Sequence, residues 1–185
     1  MATSLLSDAE SRMHKAGDVL KREMNTIRTG RASPALLESV IVDYHGVPTP
    51  LNQLATISAP EARLLLIQPW DRGSVTEIER GILKSGLGLN PATDGAMIRV
   101  PIPQLTEERR RDFVKVVRQH AEEARVAVRN VRRDVQDKLR AMERTKEVSQ
   151  DESRRLQDRL QKLTDAAIVQ INTAAEEKEA EVMEV

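Results

Sequence analysis

Leu105-Thr106-Glu107-Glu108-Arg109-Arg110-Arg111-Asp112-Phe113-Val114-Lys115-Val116-Val117-Arg118 opens a stretch that continues to Met142, and neither proline nor glycine occurs after Pro103. Thr106 stands ahead of Glu107 and Glu108, a hydroxyl cap with two carboxylates over the positive end of a helix dipole. Apolar or small residues then recur at Phe113, Val117, His120, Ala124, Val128, Val131, Val135, Leu139 and Met142. The steps are threes and fours, which place them on one face of a helix. Arg111, Arg118, Arg125 and Arg132 lie seven apart, with Arg129, Arg133 and Arg140 beside them. At about 100° per residue, this arginine arc is centred roughly 120° from the apolar one. One helix therefore offers a core to its neighbours and a cationic strip to solvent.

Working outward, Ser4 to Thr29 reads as a first helix, because Leu6, Met13, Leu20 and Ile27 repeat every seven residues with Ala9, Ala16, Gly17 and Met24 between them. Gly30 ends that pattern. Downstream, Ser149-Gln150-Asp151-Glu152 is a capping box for a third helix, whose seam is Leu156, Leu160, Leu163, Ala167, Ile171 and Ala174. Beyond Ala175 the chain is mostly acidic, and fraying is expected there.

The intervening segment differs in character, holding all eight prolines and every glycine except Gly17 in it or at its edge. Val40 to Tyr44, Ala55 to Ser58, Leu64 to Ile67 and Met97 to Ile102 read as strands, with a turn at His45-Gly46. Ser74 to Ser85 reads as a short helix capped by Ser74. Trp70, next to Pro69, is assigned to the core of this module.

The fold class is therefore α+β with two domains. A long antiparallel three-helix bundle is built from 1–30 and 105–185, and a small α/β domain, 31–104, is inserted between its first and second helices. The second helix spans about 55–60 Å at 1.5 Å per residue, so the bundle is a rod. The chain crosses between domains twice, near 30–31 and 103–105. Gly30, Arg31, Pro103, Gln104 and Leu105 are therefore hinge candidates, the other reading being a rigid corner.

Composition excludes several functions. The chain has 29 basic and 29 acidic residues and no cysteine, so disulfides, thiol catalysis and cysteine metal sites are absent. No histidine pair has helical metal spacing, so no metal or other cofactor is expected, and His120 reads as a satisfied residue at the core edge. No serine sits in a nucleophile motif, and Gly86-Leu87-Gly88 lacks a phosphate-loop lysine, so the chain is not read as an enzyme. No apolar run reaches membrane-span length, which suits a cytoplasmic monomer. The balanced total conceals polarity. Residues 107–140 hold eleven basic and seven acidic side chains, and residues 141–185 hold seven and eleven.

Several runs together resemble the bacterial ribosome recycling factor family: Arg28-Thr29-Gly30-Arg31-Ala32, Leu51-Asn52-Gln53-Leu54, Gly88-Leu89-Asn90-Pro91, Leu105-Thr106-Glu107-Glu108-Arg109-Arg110 and Val126-Ala127-Val128-Arg129-Asn130-Val131-Arg132-Arg133-Asp134. The resemblance covers essentially the whole chain. It implies an L-shaped translation factor that binds in the ribosomal intersubunit space and, with elongation factor G and GTP, splits the subunits after termination. It also implies that the basic face of the bundle binds large-subunit ribosomal RNA.

From the residues alone, the strip reads equally as a phosphate-binding surface or as a solvated face of ion pairs, such as Glu122 with Arg118 or Arg125 and Asp134 with Lys138. Nine of its eleven basic residues are arginine, whose fork donates two charge-assisted hydrogen bonds to a phosphate. With the resemblance, the RNA-binding set is Arg118, Arg125, Arg129, Arg132 and Arg133. Arg109, Arg110, Arg28 and Arg31 extend it toward the corner. Arg132, the centre of the set, projects away from the core stripe and should be dispensable for folding. A helical scaffold or holdase that binds proteins through its seams is the alternative from another class.

Overall fold

The computed structural model describes residues 2–184 and divides into two compact units. One comprises the chain up to Thr29 and from Glu107 onward; the other is Gly30–Thr106. In chain order the regular elements are α1 (Ala2–Thr26), β1 (Ile41–Tyr44), β2 (Val47–Pro50), β3 (Ala55–Glu61), β4 (Leu64–Pro69), α2 (Val75–Lys84), β5 (Ala92–Asp94), β6 (Met97–Pro101), α3 (Glu107–Arg144) and α4 (Gln150–Met183).

The helical unit is α1, α3 and α4 around one apolar seam. Leu6, Met13, Leu20, Val117, Val128, Val135, Leu139, Leu160 and Ile171 are all buried in it. Side-chain pairs give the helix directions. Arg12 meets Asp134 and Glu23 meets His120, so α1 runs against α3; Arg118 meets Glu179 and Arg125 meets Asn172, so α4 also runs against α3. The α3–α4 turn places Lys146 at φ 61, and Ser149 Oγ accepts from the Glu152 amide at 3.2 Å, as its capping role requires. Val148, just before that cap, is buried in the seam.

The second unit contains a β1–β2 hairpin and a four-stranded antiparallel sheet in the order β3-β4-β6-β5. The hairpin turn at His45-Gly46 has φ values of 51 and 82, the signs a type I′ turn needs. In the sheet, Leu65 faces Val100 and Ile67 faces Ile98, and all four side chains are buried. Ile78 and Ile82 of α2 join the same core. Gly81 lets α2 approach β1: a Cβ there would stand 3.0 Å from Val42 Cγ2 and 3.1 Å from the Ile41 carbonyl.

Several expectations need correction. The first helix ends at Thr26, not Thr29. β2 and β5 escaped detection, β2 because Pro48 and Pro50 mask a short edge strand. Asp71, not Ser74, provides the side-chain cap before α2, accepting from the Gly73 amide at 2.9 Å. Trp70 is 67% exposed, its Nε1 donating to Thr56 Oγ1 at 3.0 Å. Residues 65 and 67 point inward in β4, and position 70 falls in the outward phase of that alternation. The acidic C-terminal region stays helical to Met183, and Val182 is buried. Between Ala175 and Val182, Lys178 is largely covered and sends Nζ to Glu181 at 2.9 Å.

Candidate nucleic-acid interface

The arginines of α3 fall into two groups. The first is already engaged by acids. Arg111 pairs with Glu107, and Arg118 makes a two-pronged contact with Glu179 of α4 at 3.0 Å on each prong. Arg125 binds Glu122 at 2.9 Å and Asn172 at 2.8 Å, and Arg129 reaches the other oxygen of Glu122 at 2.5 Å. Hydrogen bonds from Arg125 and then Arg129 hold the Glu122 carboxyl below its ordinary range. A phosphate arriving at these residues must displace a carboxylate, which lowers the net gain.

Arg132 and Arg133 form the second group. Among the described residues neither has a carboxylate within ion-pair distance. The acids nearest in sequence are committed elsewhere: Asp134 binds Arg12 of α1 at 2.7 Å and Lys138 at 3.1 Å, and Asp137 lies 3.9 Å from Arg140. Arg133 is exposed. Arg132 is half-buried, and its Nε is enclosed without a hydrogen-bond partner. This departs from the expectation that Arg132 stands clear of the core: its stem packs while the far end of the guanidinium remains available. The pairs of Glu122 with Arg125 and of Asp134 with Lys138 were legible in the sequence, whereas the cross-helix pairs of Arg118 with Glu179 and Arg12 with Asp134 were not.

Arg110 is 8% exposed, and its Nε also lacks a partner, so it is a buried cation rather than an open surface one. Arg109 is exposed and lies over the Phe113 ring at 5.7 Å from the centroid. Arg28 and Arg31 are both exposed. Gly30 has φ +77, a left-handed conformation suited to glycine, and a Cβ there would lie 3.4 Å from Leu105 Cγ. Thus the residues where the chain enters and leaves the second unit are neighbours. Both connections are fastened to one turn: the Ala32 amide donates to the Ala62 carbonyl at 2.7 Å and the Ile102 amide to Arg63 at 2.9 Å. Pro103 and Gln104 are exposed and outside regular structure. Among the described residues no helix is long and apolar enough to cross a membrane.

Comparison with known proteins points to one family. A family model described as ribosome recycling factor matches residues 20–183. The ribosome-recycling factor of Moorella thermoacetica is 58% identical over 185 residues, covering all of both chains. A solution structure of the ribosome recycling factor matches with a TM-score of 0.75 at 45% identity, covering 100% of this chain and 98% of the other. A structure of the T. thermophilus ribosome recycling factor, bound with E. coli elongation factor G to the E. coli post-termination complex, matches with a TM-score of 0.65 at 44% identity, covering both chains fully.

Proposed function

The chain belongs to the ribosome recycling factor family, and from that premise we propose that it binds the large ribosomal subunit after termination and, with elongation factor G and GTP, separates the subunits for reuse. The scaffold or holdase alternative is set aside, since the relatives are recycling factors over their full length. The protein acts in the cytoplasm as a monomer and is not itself an enzyme. GTP hydrolysis belongs to the partner, because no phosphate-loop lysine motif occurs here.

Docking rests on α3. Arg132 and Arg133 make the primary contacts to ribosomal RNA phosphates, and Arg118, Arg125 and Arg129 join by exchanging their carboxylates for phosphate. Arg109, Arg110, Arg28 and Arg31 extend the contact toward the crossing. Folded RNA is recognised largely by backbone and shape, so a strip without aromatic side chains suffices. Splitting is mechanical. The partner displaces the 31–104 domain about Gly30, Arg31, Pro103, Gln104 and Leu105, while the 1–30 and 105–185 domain stays docked.

The observation that carries the site is the pair of arginines without acids, and it is tested with purified large subunits over a salt series. Arg132→Gln and Arg133→Gln should each weaken binding by about 1–3 kcal/mol and flatten the salt dependence, as released counterions fall. Arg154→Gln on α4 is the control and should bind normally. Unaltered binding of both α3 variants at every salt concentration would remove this helix from the interface. Subunit splitting with elongation factor G and GTP tests the activity itself.

A further inference from the structure

His120 interrupts the apolar face of α3, and the sequence marks it as a satisfied residue at the core edge. The structure shows otherwise. Its Nδ1 is enclosed and makes no hydrogen bond of acceptable geometry. Two carboxylate oxygens nonetheless converge on that atom: Glu23 Oε2 of α1 at 3.1 Å and Glu123 Oε2, one turn along α3, at 3.6 Å. Glu123 uses its other oxygen to accept from Gln119 Nε2 at 3.1 Å, which orients the carboxylate toward the histidine. All three ligand atoms lie within 4.8 Å of one another.

We propose that Glu23, His120 and Glu123 bind a first-row divalent transition ion of the Zn²⁺ type, joining α1 to α3. The spacing supports this. With metal–ligand bonds of about 2.0–2.1 Å at tetrahedral angles, ligand atoms stand about 3.3 Å apart. The observed 3.1 and 3.6 Å bracket that value. Three electron-pair donors face one point with no donor hydrogen properly aligned between them, an arrangement that a cation relieves. The imidazole selects the ion: nitrogen suits zinc, nickel or copper, whereas magnesium and calcium prefer all-oxygen sites. Two carboxylates and one histidine leave the fourth position to water. Glu23 lies in the last turns of α1, so the ion fastens the end of that helix to the middle of α3. The second ligand helix explains why no motif was visible: only His120 and Glu123 share a helix, and Glu23 is brought in by the fold.

The test uses the full, untagged chain. Calorimetric titration with Zn²⁺ should show one binding site per chain, and Mg²⁺ at the same concentrations should show none. At saturating Zn²⁺ the melting temperature should rise by about 5 °C or more, as ligand binding to the native state alone requires. Glu123→Gln, at an exposed position, should weaken zinc binding at least tenfold with little change in the metal-free melt. His120→Ala should abolish binding. His14→Ala is the control, because His14 lies 3.0 Å from Asp18 on α1 and offers the only other histidine–acid pair among the described residues; it should bind as the parent does. Loss of binding in His14→Ala with retention in His120→Ala and Glu123→Gln would overturn the proposal. Absence of binding by the parent chain would overturn it equally.

Discussion

The helical unit and the β-rich unit solve the same burial problem at different scales. In α3, one 38-residue helix carries both core and charge, separated only by angle around its axis. Its inward face is Val117, Ala121, Val128, Val135 and Leu139; its outward face is arginine. In the β unit the strands are three to seven residues long; β4 and β6 alternate inward and outward, and no strand has more than two buried positions. A long helix repeats its message over ten turns, so errors average out. A short strand states its message once, so a slip of one residue exposes what was expected to be inside. Separate cores also mean that each unit should respond to its own mutations.

The largest effects test that separation. Leu160→Ala empties a site in the helical seam, and Ile67→Ala empties one in the sheet; the two side chains are 2% and 0% exposed. Each should cost roughly 2–5 kcal/mol in its own unit. Amide hydrogen exchange locates the damage. Leu160→Ala should deprotect α1, α3 and α4, and Ile67→Ala should deprotect β3, β4 and β6, with the other unit almost unchanged. Matching loss of protection across both units would show that they form a single cooperative core.

The same contrast explains what could be read in advance. The three long helices and their seams were legible because a heptad such as Leu6, Met13, Leu20 has few competing interpretations. The residues from Glu176 to Val182 were not, since Lys178 is largely covered yet looks purely charged in sequence. Trp70 was misplaced because Pro69 and Trp70 sit at a strand end, where a single residue decides inward or outward. In the candidate interface, the arginine row was visible, but the difference between Arg118 and Arg132 was not. Glu179 lies 61 residues from Arg118, and Arg12 lies 122 residues from Asp134. Those cross-helix pairs decide which cations remain uncommitted.

An intermediate effect is expected where the chain passes between the units. Gly30 has φ +77, so proline, fixed near −65°, would disrupt the local conformation instead of stiffening it. Gly30→Ala is the sharper variant. It costs about 1–2 kcal/mol for a left-handed alanine and meets Leu105 Cγ at 3.4 Å, a contact that side-chain adjustment can absorb. If reorientation at this point drives splitting, the splitting rate with elongation factor G should fall several-fold while large-subunit affinity stays near the parent value. Equal loss of both would mean that Gly30 matters to folding and not to movement.

The smallest effect separates the charge ladder of the bundle from its core. Asp134 accepts from Arg12 of α1 and from Lys138, and these hydrogen bonds, with Arg12 the larger cause, hold its carboxyl below the ordinary range. A carboxyl depressed in the folded state contributes stability that is fully present above its unfolded value, about 3.9, and is lost as pH falls through the depressed one. Asp134→Asn should therefore lower the melting temperature at pH 7 by less than either core truncation, because both partners remain well exposed. The difference from the parent should begin to shrink below about pH 4, where the carboxyl of the unfolded chain takes up its proton, and should be gone only below the depressed folded value. Added salt should narrow it at neutral pH as well, since solvent-exposed pairs are screened. Both trends belong to the helical unit alone: the exchange protection of β4 and β6 should be the same in parent and variant at every pH. A melting difference that persists undiminished at pH 3 would mean that Asp134 acts through packing or hydrogen bonding as a neutral group, and that the α1–α3 contact is not electrostatic in origin.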